Sequence, residues 1–161
     1  MSIKKILSWA SLIEKREAWR RAGKTVVWTN GCFDLIHVGH VRSLQSARCF
    51  GDVLVVGVNS DISVRKLKGP QRPVVPETER AEILAALECV TAVCIFDDDT
   101  PERPLAELRP EIHCKGEDYK PPLGKPIPEA AVVSAYGGKI EFIPFETGTS
   151  TTGLIQSIKS R

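Results

Sequence analysis

Apolar residues in this chain fall into short runs and helical stripes that take turns along its length. Thr25-Val26-Val27-Trp28-Thr29 and Val53-Leu54-Val55-Val56-Gly57-Val58 are continuous, apolar and rich in β-branched residues, the pattern of strands buried on both faces of a parallel sheet. Shorter runs at 92–96, near 111–114 and at 139–144 continue the series. Between them the spacing turns helical. Val41, Leu44 and Ala47 mark a helix over 40–50 closed by Gly51, followed by helices over about 77–87, from near Thr100-Pro101, near 128–135 and over about 150–157. Ahead of the first strand, Trp9, Leu12, Ile13 and Trp19 stand among charges from about Ser8 to Ala22, and Gly23 ends this amphipathic leading helix. The alternation predicts an α/β fold: a doubly wound, Rossmann-like parallel sheet with helices on both faces. One domain over 1–161 accounts for it, with the leading helix in 1–23 and the core over about 25–159. In such a sheet the ligand crevice lies beyond the C-terminal ends of the strands.

The chemistry concentrates where the first strand hands over to its helix, in Gly31-Cys32-Phe33-Asp34-Leu35-Ile36-His37-Val38-Gly39-His40. Free backbone N–H groups and the positive end of the helix dipole attract an anion there before any side chain is counted. Gly39 lets backbone approach a ligand, and His37 and His40, three apart over the first turn, can turn toward one phosphate. Two other uses compete: a helix cap beside a packed ring, and a zinc pair. The zinc reading lacks further ligands, since Cys32 is the only candidate nearby and Cys49, Cys89, Cys94 and Cys114 form no C-x-x-C pair.

Two Pro/Gly-rich stretches, Lys68 to Pro76 and Lys120 to Pro128, interrupt the alternation and are placed as loops beside the crevice. The first carries Lys66, Lys68 and Arg72, which is either a solvated basic loop or a phosphate clamp. Thr147-Gly148-Thr149-Ser150-Thr151-Thr152 places hydroxyls at the start of the last helix, as plain caps or as a second anion site.

Composition narrows the class without naming a ligand. With 161 residues, 42% hydrophobic and 26% charged, the chain has enough for a core. A formal net charge of +2 gives no global field of the kind that draws nucleic acid, and no aromatic platform accompanies the basic loop. No apolar run approaches the roughly 20 residues of a membrane helix, and no signal peptide is evident. Five irregularly spaced cysteines suit a reducing compartment, so a cytoplasmic protein is expected.

The block from Gly31 to His40 closely resembles the G-x-F-D-x-x-H-x-G-H signature of the cytidylyltransferase-like nucleotidyltransferases. Within them, Thr29-Asn30-Gly31-Cys32-Phe33-Asp34, Asn59-Ser60-Asp61, Leu67-Lys68-Gly69, Arg72-Pro73-Val74, Asp99-Thr100-Pro101 and Lys115-Gly116-Glu117-Asp118-Tyr119 are similar to the D-glycero-β-D-manno-heptose 1-phosphate adenylyltransferases. The ending Phe145-Glu146-Thr147-Gly148-Thr149-Ser150-Thr151-Thr152 agrees, and it lacks the arginine that the glycerol-phosphate and phosphocholine cytidylyltransferases carry there. Position 117 departs from the pattern, with Glu for the usual Gly.

The resemblance implies transfer of AMP from ATP, with Mg2+, to a heptose 1-phosphate, giving ADP-heptose and pyrophosphate for lipopolysaccharide or a related glycan. The alternative is a CTP-dependent enzyme acting on glycerol 3-phosphate or a similar alcohol phosphate. It also implies roles: His37, His40 and Lys68 in catalysis; Thr29, Asn30, Gly31, Cys32, Phe33, Arg80, Lys115, Gly116, Asp118, Ser150, Thr151 and Thr152 with the two histidines around the nucleotide; and Asp34, Lys66, Lys68 and Arg72 toward the acceptor. Arg80 is either a nucleotide contact or a solvated helix charge, and Asp34 orients the loop or a histidine. No dedicated metal cage is expected. The family tendency favours a homo-oligomer, a dimer first, for which the leading helix is one candidate surface.

Overall fold

A computed structural model describes residues 2–144 and 151–160 of the chain. After a 3-10 turn at Ser2–Lys5, helix α1 (Trp9–Arg21) leads into β1 (Val26–Gly31), α2 (Val38–Arg48), β2 (Val53–Asn59), α3 (Asp61–Lys68), α4 (Glu77–Ala86) and β3 (Ala92–Phe96). The second half runs through α5 (Glu102–Leu108), β4 (Ile112–Gly116), a 3-10 turn at Glu117–Tyr119, α6 (Ala130–Ala135), β5 (Lys139–Ile143) and α7 (Thr151–Lys159).

The five strands form one parallel sheet in the order β3-β2-β1-β4-β5, so the chain starts at the centre, winds outward, then returns to build the other side. This is the expected doubly wound sheet, and its switch point falls between β1 and β4.

Side chains alternate across the strands, and each face meets its own helices. Val27, Leu54, Val56 and Val58 pack with Leu44 of α2 and with Ala81, Leu84 and Ala85 of α4. Val26, Trp28, Val53 and Val55 pack with Leu12 of α1, Leu105 and Leu108 of α5, and Val133 of α6. All seven residues of β2 are buried, which is why that segment carries no polar alternation. Trp9, Ile13 and Trp19 also pack on this second face, Trp9 edge-on to Trp28 with ring centroids 6.5 Å apart. Leu12 is therefore spent on the sheet, while Trp9 and Trp19 pack against it and stay partly exposed.

Two boundaries differ from the sequence reading. Residues 61–68 are helical, so Lys66 and Lys68 lie on α3 and only the segment from Gly69 to Pro76 is a loop. Ser60 starts that helix by accepting the Ser63 N–H at 3.2 Å. The helix is short and starts with only Ser60 between it and the end of β2, so its polar residues continue the strand as a loop would. Helix α2 begins at Val38, two residues earlier than its apolar spacing suggests, because His37 caps it.

Candidate active site

The crevice opens because β1 and β4 stop pairing early. β1 stays with β2 as far as Gly31↔Val58, and β4 stays with β5 as far as Gly116↔Ile143. Between β1 and β4 only Val27↔Ile112 and Trp28↔His113 are in register. Thr29 then bridges the gap with its hydroxyl, donating to the Cys114 carbonyl at 3.3 Å. Past that point Asn30 and Gly31 end one wall, and Lys115 and Gly116 end the other. Asn30 is oriented from below: the Trp28 indole N–H donates to its Oδ1 at 3.2 Å, and the indole lies so close over Gly57 that a Cβ there would sit 2.4 Å from the ring.

His37 and His40 meet at the head of α2. The His37 Nδ1 accepts the Gly39 N–H at 3.2 Å, and the His37 N–H donates to the His40 Nδ1 at 3.3 Å, a reciprocal cap built from two imidazoles. An accepting ring nitrogen carries no proton, so each neutral ring keeps its proton on Nε2. Burial lowers the pKa of His37, and burial followed by the neighbouring His37 brings His40 down to about 4. Near neutral pH both rings are therefore uncharged Nε2–H donors, with centroids 4.0 Å apart and planes inclined by 34°. Capping and ligand contact are thus compatible uses of the same residues: Nδ1 serves the helix and Nε2 is left for a ligand. Phe33 sets its ring edge-on to His40 at 5.5 Å.

The loop carrying these groups is pinned from beneath. The Asp34 carboxylate is fully enclosed and accepts the Val74 and Val75 N–H groups at 2.8 and 2.9 Å and the Arg72 Nε at 2.5 Å. Burial pushes its pKa up, but the bonds from Val75, Val74 and Arg72 outweigh that and hold it below the usual carboxylate value. Arg80 is fully buried, donating to the Val75 carbonyl at 2.9 Å, to Asp61 at 2.8 Å and to the Cys32 carbonyl.

These contacts correct two expectations. Arg80 is neither solvated nor turned toward a nucleotide, because its guanidinium is consumed by three protein acceptors. Asp34 orients the loop and not a histidine, and its oxygens are closed to an acceptor substrate.

The remaining basic groups divide. Lys66 pairs with Asp99 at 3.3 Å in solvent. Lys68 is exposed at the end of α3, and its charge, with those of Arg80 and Arg72, is felt at Cys32, whose thiol burial nevertheless pushes up. Arg72 stays partly exposed beside Asp34.

On the opposite wall Lys115 donates to Glu129 at 2.8 Å and stands 4.0 Å from the centroid of the Tyr119 ring. Asp118 pairs with Lys125 at 2.5 Å, folding the second Pro/Gly stretch back on the turn after β4. Thr151, the first residue of α7, donates to the Leu35 carbonyl at 3.2 Å and so reaches the loop before His37, while Thr152 is exposed. Ser150 lies outside the described residues. The sequence reading missed His113 and Glu129, which are buried and joined by a 3.0 Å bond next to Lys115. Alternation along β4 puts His113 on the Lys115 face, the one signal available; a glutamate after Pro128 gives no sign of burial.

Among the described residues no group of three or more His, Cys, Asp or Glu could hold a metal ion. No described helix is long and apolar enough to cross a membrane. What the geometry offers is a polar crevice with neutral N–H donors at a helix start and fixed or nearby cations around them, suited to a phosphate ester.

The sequence matches the family model described as cytidylyltransferase-like over residues 28–152. It is 54% identical to the bifunctional protein HldE of Syntrophotalea carbinolica over 94% of this chain and 30% of that protein. It is 51% identical to the bifunctional protein HldE of Geotalea uraniireducens over 98% of this chain and 31% of that one. The chain thus spans under a third of the length of these relatives. A lipopolysaccharide core biosynthesis protein from Thermoplasma volcanium shares the fold, with a TM-score of 0.61 at 24% identity over 77% of this chain and 98% of that one.

Proposed function

Because the chain belongs to the cytidylyltransferase-like family of nucleotidyltransferases, we propose that it transfers AMP from ATP to D-glycero-β-D-manno-heptose 1-phosphate, giving ADP-heptose and pyrophosphate. A phosphate oxygen of the sugar phosphate attacks the α-phosphorus in line, the bond from that phosphorus to the bridging oxygen breaks, and pyrophosphate leaves with the electron pair. The incoming phosphate is its own nucleophile, so no covalent enzyme intermediate is required.

The observation that carries this reading is the pair of Nε2–H donors fixed by their own Nδ1 caps at the head of α2. Donors held in place need no reorganisation as charge grows on the α-phosphoryl oxygens. Lys68 supplies positive charge to the same region, and the backbone of Asn30 to Phe33 with Ser150, Thr151 and Thr152 cradles the β- and γ-phosphates. Lys115, Gly116 and Asp118 face the nucleotide across the crevice, and Arg72 is left as the basic group for the acceptor. ATP enters as its magnesium complex, with the ion carried by the triphosphate. The heptose choice is supported by the high identity to the HldE proteins and by Phe145-Glu146 where the cytidylyltransferases for glycerol phosphate have an arginine.

Pyrophosphate release over a grid of ATP and CTP against heptose 1-phosphate and glycerol 3-phosphate tests the proposal. ATP with the heptose phosphate is expected to be fastest; faster turnover of CTP with glycerol 3-phosphate would reject it.

A further inference from the structure

The most costly unexplained feature of the crevice is a carboxylate shut away from water. Glu129, the residue before α6, is 1% exposed, and one of its oxygens, Oε1, takes both the His113 Nε2–H at 3.0 Å and the Lys115 ammonium at 2.8 Å. A buried charge is tolerated only when paired and hydrogen-bonded. Burial alone would raise the Glu129 pKa, yet the bonds from His113 and Lys115 prevail and bring it to about 2, so it is charged at every working pH. His113 is fully buried, and burial before all else keeps its pKa below the ordinary value, so it serves as a neutral donor.

Placement gives this network its meaning. His113 lies at Trp28↔His113, the last register pair between β1 and β4, and Lys115 follows on the same face just where the strands part. If Glu129 only anchored α6 to the sheet, His113 would suffice as its partner. Instead it also holds a lysine whose side chain is 13% exposed, at the crevice, with the Tyr119 ring 4.0 Å from the ammonium. A free lysine on its four-carbon stem samples many rotamers, and a ligand that orders it bears that entropy. Glu129 and Tyr119 occupy two sides of the ammonium and leave an N–H for a ligand oxygen.

We infer that Glu129 is a positioning residue: with His113 behind it, it holds the Lys115 ammonium ready on the wall facing Asn30 and Gly31, so that Lys115 meets a bound nucleotide without being ordered by it. The inference rests on the nucleotidyl-transfer reading and adds to it the element that preorganises the nucleotide wall.

A double-mutant cycle in nucleotide affinity tests it. ATP binding to the full chain is measured by calorimetry with magnesium and without acceptor, for wild type, Glu129→Gln, Lys115→Met and the double variant; kcat and KM follow with acceptor, and thermal unfolding runs in parallel. Glu129→Gln is expected to weaken ATP roughly tenfold and to raise its KM alike, with kcat within about threefold, since the transition-state donors are elsewhere. The double variant is expected to bind no worse than Lys115→Met alone. Losses that multiply in the double variant, or a lower Tm with unchanged ATP affinity, would show a merely architectural residue and overturn the inference. Should Glu129→Gln fail to fold, Glu129→Asp keeps the charge but falls a methylene short of Lys115, and wild-type ATP affinity in that variant would be equally fatal. A coupled cycle in a protein that makes no product from the heptose phosphate would uphold the positioning role and remove only the acceptor assignment; a wild type that binds no ATP removes both.

Discussion

Two arginines, Arg16 and Arg80, are buried almost completely in this molecule, and they lie at opposite ends of the sheet. At the N-terminal end, Arg16 of α1 donates to the carbonyls of Leu108 and Arg109 at 3.0 and 2.8 Å and to Glu111 at 2.6 Å, while the other Glu111 oxygen accepts the Val26 N–H at 2.8 Å. That stitch joins a helix, a turn and the first residue of β1. At the C-terminal end, Arg80 joins the Cys32 carbonyl, the Val75 carbonyl and Asp61, and so ties the histidine loop to α3 and to the loop before α4. Both use one guanidinium fork to satisfy carbonyls that helices and strands leave over. They differ in what they hold up: Arg16 joins α1 and the turn before β4 to the start of β1, whereas Arg80 holds the loop to which the proposed function assigns the chemistry.

The sharpest contrast is with His40, to which the proposed reaction assigns a donor role beside its part in the α2 cap. His40→Ala is expected to lower kcat by roughly two to three orders of magnitude, the range for removing a fixed transition-state donor, with ATP affinity changed less than about threefold. Steady-state turnover beside calorimetric ATP binding measures it, and normal turnover would reduce His40 to a cap.

Arg80→Met and Arg16→Met break the comparison itself. Each leaves carbonyls and a carboxylate without their partner, a loss of about 2–4 kcal/mol. At about 2–4 °C per kcal/mol for a chain of this size, both should melt well below wild type. Below the melting range, Arg80→Met is expected to lose about tenfold in kcat as its loop loosens, and Arg16→Met to turn over normally. Equal effects on turnover would mean that the two struts are equivalent.

Neither strut could be read from the sequence, and the reason is general. The sheet, the leading helix and the histidine block are local patterns: buried β-branched runs, a stripe at helical spacing, a motif within ten residues. Arg80 sits on a helix rich in charge, where nothing local separates a solvated arginine from one folded under a loop 48 positions earlier. Asp34 likewise shows its partners only once Val74 and Val75 are brought to it. Lys115 stands within a motif of the sequence, whereas its partner Glu129, and His113 behind that, are joined to it only by the fold. Helix α3 escaped for another reason: it starts one residue after β2 and its polar, basic residues run straight into the Pro/Gly-rich stretch, so the whole segment reads as a connecting loop.

Asp34 offers a milder test of the loop. Its folded pKa is depressed, so the stability it contributes is present above the ordinary carboxylate value of about 3.8 and is lost as pH falls through that value toward the folded one. Asp34→Asn keeps the shape but loses the charge-assisted bond to Arg72, and should cost about 1–2 kcal/mol at pH 7. Urea unfolding at pH 7 and near pH 3 should show the gap between variant and wild type shrinking in acid; a constant gap would mean that the charge contributes nothing.

The smallest expected effect comes from the histidine pair, and like that of Asp34 it is a loss of stability as pH falls, in a higher pH window. His40 takes a proton at about 4 in the folded protein and near 6.5 when unfolded. Between those values the unfolded chain binds a proton that the native state refuses, so unfolding becomes easier as pH falls from 6.5 toward 4. The ring remains partly open to water, and screening reduces the contribution to about 1 kcal/mol or less. His40→Asn removes the titrating group, so the fall in stability between pH 7 and pH 5 should be shallower in the variant than in wild type by that amount. A ring titration followed by NMR gives the direct check, since His40 should stay neutral well below pH 6 in the folded protein. A midpoint at 6.5 or above would mean that the ring works as a cation, and the view of the α2 head as a pair of neutral donors would have to be replaced by one of paired charge.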